Sequence, residues 1–106
     1  MSLNTEQRAM VARAVTGHRC FIRNDGLIEI AGGDFEFAGE IWAPDEYVRQ
    51  WKAILIKACK LIREIPETNH RDMFRRRAVL ERFNKAVAED SPAALEQLAF
   101  ELLENK

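Results

Sequence analysis

Between Pro44 and Pro66 the sequence carries an apolar stripe that holds helical spacing throughout: Tyr47, Val48, Trp51, Ile54, Leu55, Ala58, Leu61, Ile62 and Ile65. Residues three and four apart share one face of an α-helix, so a stripe of this length predicts a helix that must bury that face elsewhere in the chain. Pro44 suits a first helical position, Asp45 and Glu46 suit the positive end of the helix dipole, and Pro66 stops the run. The expected helix therefore runs from Pro44 to Ile65. Whatever else the chain forms has to supply the surface this stripe needs.

The flanking segments supply it in two ways. Asn4 to Thr16 reads as a helix, with Asn4 or Thr5 as cap, Gln7 at capping-box spacing from Asn4, and Gly17 to end it. Asn24-Asp25-Gly26 then marks an antiparallel hairpin. A two-residue turn there pairs Ile22 with Glu29 and mixes apolar and charged side chains on both faces. A three-residue loop with Gly26 left-handed pairs Ile22 with Ile28 and Cys20 with Ile30, and the buried face decides the register. A further turn at Gly32-Gly33 is expected to bring Phe35 across from Ile30 and Phe37 across from Ile28, with the third strand running to about Trp42. Past Pro66, Thr68 or Asn69 caps a helix to about Ala88 with Met73, Leu80, Phe83 and Val87 as its inward line. Ser91 caps a last helix, with Pro92 at its first position and Leu95, Leu98, Ala99, Leu102 and Leu103 on one side. The expected fold class is α+β: a three-stranded antiparallel meander packed against helices in the order α-β-β-β-α-α-α, with the Pro44–Ile65 helix covering one sheet face.

With 106 residues, 47% apolar and 31% charged, the chain fits one domain, 1–106, and is too apolar for a disordered segment. No apolar run approaches the roughly 20 residues that cross a bilayer, and no basic region followed by an apolar stretch marks a secretory leader. Cys20 and Cys59 both fall at apolar positions and read as reduced core residues. A cytoplasmic address without a membrane role is the expectation.

Charge is segregated although the total is only −1. Arg49 to Lys85 holds eleven basic and four acidic residues, while 1–48 holds four and eight and 86–106 one and five. This arrangement suits either pairing within the chain or a charged partner. In the Arg71–Lys85 tract, Arg71, Arg75, Arg82 and Lys85 share a broad polar arc, Arg77 points elsewhere, and Arg76 lies on the apolar line between Met73 and Leu80. An arginine in that place should pair with a buried carboxylate or face a partner. The tract is the nucleic-acid candidate, but the last helix beside it carries Glu96, Glu101 and Glu104, which would meet phosphates with like charge. Arg49, Lys52, Lys57, Lys60 and Arg63 read as the solvated side of the Pro44–Ile65 helix, with Ile56 at its border. Phe74 and Phe100 fall off their helices' main stripes, and Phe21 and Trp42 sit on the outer sheet face.

No constellation points to catalysis. His18 and His70 lack a second ligand at metal spacing, His18 and Cys20 two apart on a strand do not make an oriented pair, and Asp25 and Asp34 fit turns beside glycine. No catalytic residue, cofactor or metal is expected. The stretch Ile41-Trp42-Ala43-Pro44-Asp45-Glu46-Tyr47 leading into Gln50-Trp51 resembles the strand-to-helix segment of some small bacterial immunity proteins, inhibitors that bind a toxin. That resemblance covers a quarter of the chain and implies protein binding; the family has further strands where this sequence turns helical. The functional expectation is a small non-enzymatic protein-interaction module of accessory, inhibitory or regulatory kind, with a homodimer among its expected forms. Its contact surface would be Phe74, Arg75, Arg76, Arg77 and Phe100, aromatic and arginine side chains being those that most often carry interface energy. The alternative is nucleic-acid binding through the Arg71–Lys85 helix.

Overall fold

The structure, a computed structural model, describes residues 3–31 and 39–105. Helix α1 (Thr5–Thr16) opens on a capping box: Asn4 Oδ1 accepts from the Gln7 amide at 2.8 Å and Gln7 Oε1 accepts from the Asn4 amide at 2.9 Å. It ends at Gly17, whose φ of 73° is the left-handed conformation that a residue with a Cβ adopts only at a cost. Strands β1 (Arg19–Ile22) and β2 (Ile28–Ala31) pair antiparallel in the expected register, Cys20 opposite Ile30 and Ile22 opposite Ile28. The loop is the three-residue form, with the Arg23 amide bonded to the Leu27 carbonyl and Gly26 at φ 84°. Cys20, Ile28 and Ile30 are buried as the face argument required, but Ile22, the last residue of β1, is exposed.

The expected three-stranded meander is not what forms. Among the described residues the sheet has two strands, and the chain returns to it only at one bridge, Glu29 opposite Ile41. Phe35 and Phe37, with most of the stretch assigned to a third strand, lie outside the described residues. The returning segment is set by Trp42. Its amide donates to the Ile28 carbonyl at 2.8 Å, and its side chain is buried at 2% exposure rather than sitting on an outer sheet face. Pairing Ile28 with Phe37 would instead carry Trp42 past the strand end. Gly39, at φ 80°, lets the backbone turn so that the Ile30 amide and carbonyl meet Glu40 and Gly39.

Helix α2 (Val48–Arg63) begins four residues after Pro44, because residues 43–47 first form a turn in which the Ala43 carbonyl accepts from the Glu46 and Tyr47 amides. Gln50 fixes this entry. Its fully buried amide side chain accepts from the Ala43 amide at 2.7 Å and donates to the Ile41 carbonyl at 2.8 Å. Tyr47 and Val48 are consequently exposed, outside the buried stripe. Asn69 caps α3 (His70–Ala88) through the Asp72 amide, and Ser91 caps α4 (Pro92–Glu104) through the Ala94 amide.

The sheet packs against α1, not against α2 as expected, and α4 packs against α1, α2 and α3. The main core joins Ala9, Val11 and Ala12 of α1, the sheet residues, Trp42, Ile54 and Ala58 of α2, and Leu95, Ala99 and Phe100 of α4. A second cluster joins Leu61, Ile62 and Ile65 to Leu98 and Leu102, with Val79 and Phe83 of α3 against it. Because α4 is wrapped on several sides, Glu96 is buried too. Its Oε1 accepts from the Trp42 indole at 2.7 Å and from Arg8 Nε at 3.1 Å, so a charge in the core is both paired and hydrogen-bonded.

Candidate protein-docking groove

Helix α3 is only half seated. Val79, Phe83 and Ala86 meet the rest of the molecule, and Ala86 is its one buried residue. Met73 (53% exposed), Phe74 (68%) and Leu80 (44%), two of them on the expected inward line, face solvent instead, as does Val87. The physical reason lies at the two ends of the helix. Its C-terminal half is held by the tight Asp90-Ser91-Pro92 return into α4, while its N-terminal half starts from the Glu67–Asn69 connection and faces α2 across a groove. What remains between the C-terminal half of α2 and the N-terminal half of α3 is a groove of about 680 Å³.

Ile62, Cys59 and Phe83 contribute apolar lining, and Met73, Phe74 and Leu80 add more from α3. Arg63 comes from α2 and Arg76 and Arg77 from α3, with His70 and Glu67 at the start of α3. Arg76 pairs with Glu67 across the connection, which answers its place on an apolar line: the carboxylate it finds is local and exposed, not buried. Among the described residues neither Arg63 nor Arg77 has a carboxylate within 4.0 Å. The lining therefore carries three arginines against one glutamate around an apolar centre. The volume falls in the range of sites that take a ligand or an anchor group, roughly 300–1,000 Å³.

Of the five residues expected at a contact surface, the groove brings together Phe74, Arg76 and Arg77. Arg75 is exposed but does not line it, and Phe100 is withdrawn altogether, 6% exposed in the main core. Phe100 sits one turn beyond buried Glu96, so its side of α4 is a second packed face, not an outward one. Met73, Leu80, Cys59, Ile62 and Arg63 were missed as site residues because periodicity assigned them to the core or to a solvated face. Ile56, expected at the border of that face, is 71% exposed and lies one helical turn before Cys59.

Among the described residues, charge pairing of α3 with the acidic flanks is realised once, where two Arg82 guanidinium nitrogens reach the Glu101 carboxylate at 3.2 and 2.5 Å. That hydrogen-bonded pair holds Glu101 below and Arg82 above their ordinary pKa values. Arg71, Arg75 and Lys85 have no carboxylate within 4.0 Å among the described residues. Burial pushes the Cys20 thiol up, away from a reactive thiolate, and no group of three or more metal-ligating side chains occurs among the described residues. No helix among them is long and apolar enough to cross a membrane. The stretch resembling immunity proteins forms a bridge, a turn and α2, and every element after it is helical. Comparison with protein-family models, with curated proteins and with solved structures returns no match.

Proposed function

We propose that this protein is a non-enzymatic interaction module that captures a protein partner in the groove between α2 and α3. The observation that carries the reading is the half-seated α3. A 19-residue helix that buries one residue leaves Met73, Phe74 and Leu80 together over an apolar groove, and a contiguous apolar surface rimmed by charge is the usual form of a binding site. Arginine beside aromatic side chains adds the residue types that anchor interfaces. An accessory, inhibitory or regulatory character for the module is part of the same proposal.

Selection from a library of random peptides displayed on a carrier, with the Phe74→Glu variant as counter-target, tests this. The expected result is a set of binders that the wild-type chain retains and the variant loses, with the variant's thermal midpoint unchanged because Phe74 is exposed. Recovery of no Phe74-dependent binder removes the groove as a docking site.

Nucleic-acid binding is a second reading, favoured by Arg71, Arg75 and Lys85, which are exposed and have no carboxylate partner among the described residues. Light scattering at low and high salt, with and without duplex or single-stranded nucleic acid, decides it. An affinity that falls steeply with salt and weakens on charge reversal of Arg75 supports that reading, and no mass increase with either form dismisses it.

A further inference from the structure

We infer that the groove takes an acidic amphipathic helix of a partner protein, a conclusion that rests on the docking reading above and specifies its occupant. Three features of the groove lead there. Its walls are two α-helices, whose backbone groups are already bonded within each helix. An extended segment laid between them would find no strand edge to pair with and would lose its own amide bonds to water over an apolar surface. A helix brings its backbone already satisfied.

The length fits as well. Ile56 to Arg63 on α2 and Met73 to Leu80 on α3 are each eight residues, seven steps and about 10 Å of axis, or two helical turns. An occupant with apolar side chains at i, i+3 or i+4, and i+7 would set one anchor against Phe74 and Met73, one over Ile62, and one against Leu80 and Phe83.

Charge selects the sign of its flanks. Arg63 on one wall and Arg77 on the other lack carboxylate partners among the described residues, and α2 contains no Asp or Glu from Val48 to Arg63. The exposed Lys60 lies one turn before Arg63 and extends the positive rim. Carboxylates flanking the occupant's apolar stripe would meet these cations at the edge of a partly desolvated surface, where complementarity governs approach and partner choice. The same fact argues against a second copy of this chain in the groove. A two-fold interface through these helices would set cation against cation, since such an interface brings each patch onto itself.

The test uses three synthetic peptides built on one helical scaffold with leucine at the anchor positions and Glu, Gln or Lys at the flanking ones. Binding to the full chain is followed by fluorescence anisotropy and by protection of Cys59, the half-buried thiol lining the groove, from iodoacetamide. The Glu peptide is expected to bind and to slow Cys59 alkylation, the Gln peptide to bind about three- to tenfold more weakly, and the Lys peptide not to bind. Salt should weaken the Glu peptide most. The double variant Arg63→Glu with Arg77→Glu is expected to reverse the order so that the Lys peptide binds best, and Phe74→Glu and Leu80→Glu each to abolish binding. Equal binding of all three peptides, still lost on Phe74→Glu, overturns the acidic occupant and leaves the groove as a docking site. Binding by none of them overturns the helix. If the chain then sediments as a dimer that Phe74→Glu splits, the occupant is a second copy. If Phe74→Glu changes nothing in any assay, including the library selection, the docking reading itself falls.

Discussion

Glu96 shows how one side chain can commit the chain to its topology. A carboxylate at this depth is tolerable because the Trp42 indole and Arg8 both donate to it, and those donors come from opposite ends of the first half of the sequence. Replacing Glu96 with Ala strands a buried indole N–H and frees the arginine, and should lower unfolding free energy by about 2–4 kcal/mol in urea titration. Glu96→Gln keeps an acceptor for Trp42 and should cost about 1 kcal/mol. The exposed Arg82–Glu101 pair behaves differently. The folded-state pKa of Glu101 lies below its unfolded value, so the pair stabilises the fold above the unfolded value and the contribution is lost as pH falls through the lowered one. Because both side chains are largely solvated, that contribution should be about 0.5 kcal/mol. Denaturant midpoints of wild type and Glu101→Gln should therefore differ slightly at neutral pH and converge on the acid side. Neither Glu96 nor Gln50 stands out in the sequence. A polar residue inside a stripe or beside one reads as surface until its donors are known, and those donors are dozens of residues away for Glu96.

At the scale of elements, local chemistry was legible and coverage was not. Asn4, Gly17, Asn69, Ser91 and Pro92 act on their immediate neighbours, and each ends or begins a helix as its type requires. The first hairpin register followed from faces alone. Of the expected third strand the described residues keep only the Glu29–Ile41 bridge, and Trp42 beside it takes a place in the core against the Glu96 carboxylate, a choice made by tertiary partners. Helix α3 failed in the instructive direction. Its period shows which side is apolar but not whether another element covers it, so Met73 and Leu80 looked like core while Phe100, off its stripe, looked like surface. The candidate site was thus half legible: Phe74, Arg76 and Arg77 came from the sequence, and the α2 wall came from packing. Two outcomes follow for α3. Leu80→Glu should leave the urea midpoint nearly unchanged, within about 0.5 kcal/mol, whereas Phe83→Ala, which removes contacts with both clusters, should cost about 2–4 kcal/mol. In hydrogen exchange, amides of residues 73–77 should open sooner than those of 79–86, since few buried contacts hold the first half.

For the whole molecule, the segregated charge ends as an uneven surface. Acidic groups are spent on Arg8, Arg23, Arg49 and Arg82, and the middle of the chain keeps most of its cations in solvent. Helix α4 touches α1, α2 and α3 alike and puts buried side chains into both core clusters. Deleting residues 92–106 should therefore abolish the cooperative thermal transition altogether, which circular dichroism would register as a shallow slope without a midpoint. The same dependence has a temporal side. A ribosome releases this chain from its N-terminus, so the Trp42 indole, the inner surface of α1 and the stripe of α2 all emerge before the helix that will close over them has been made. Until Leu102 is out, the growing polypeptide must wait with those greasy surfaces uncovered. It is in that interval, more than in the finished molecule, that a holding chaperone would be of use.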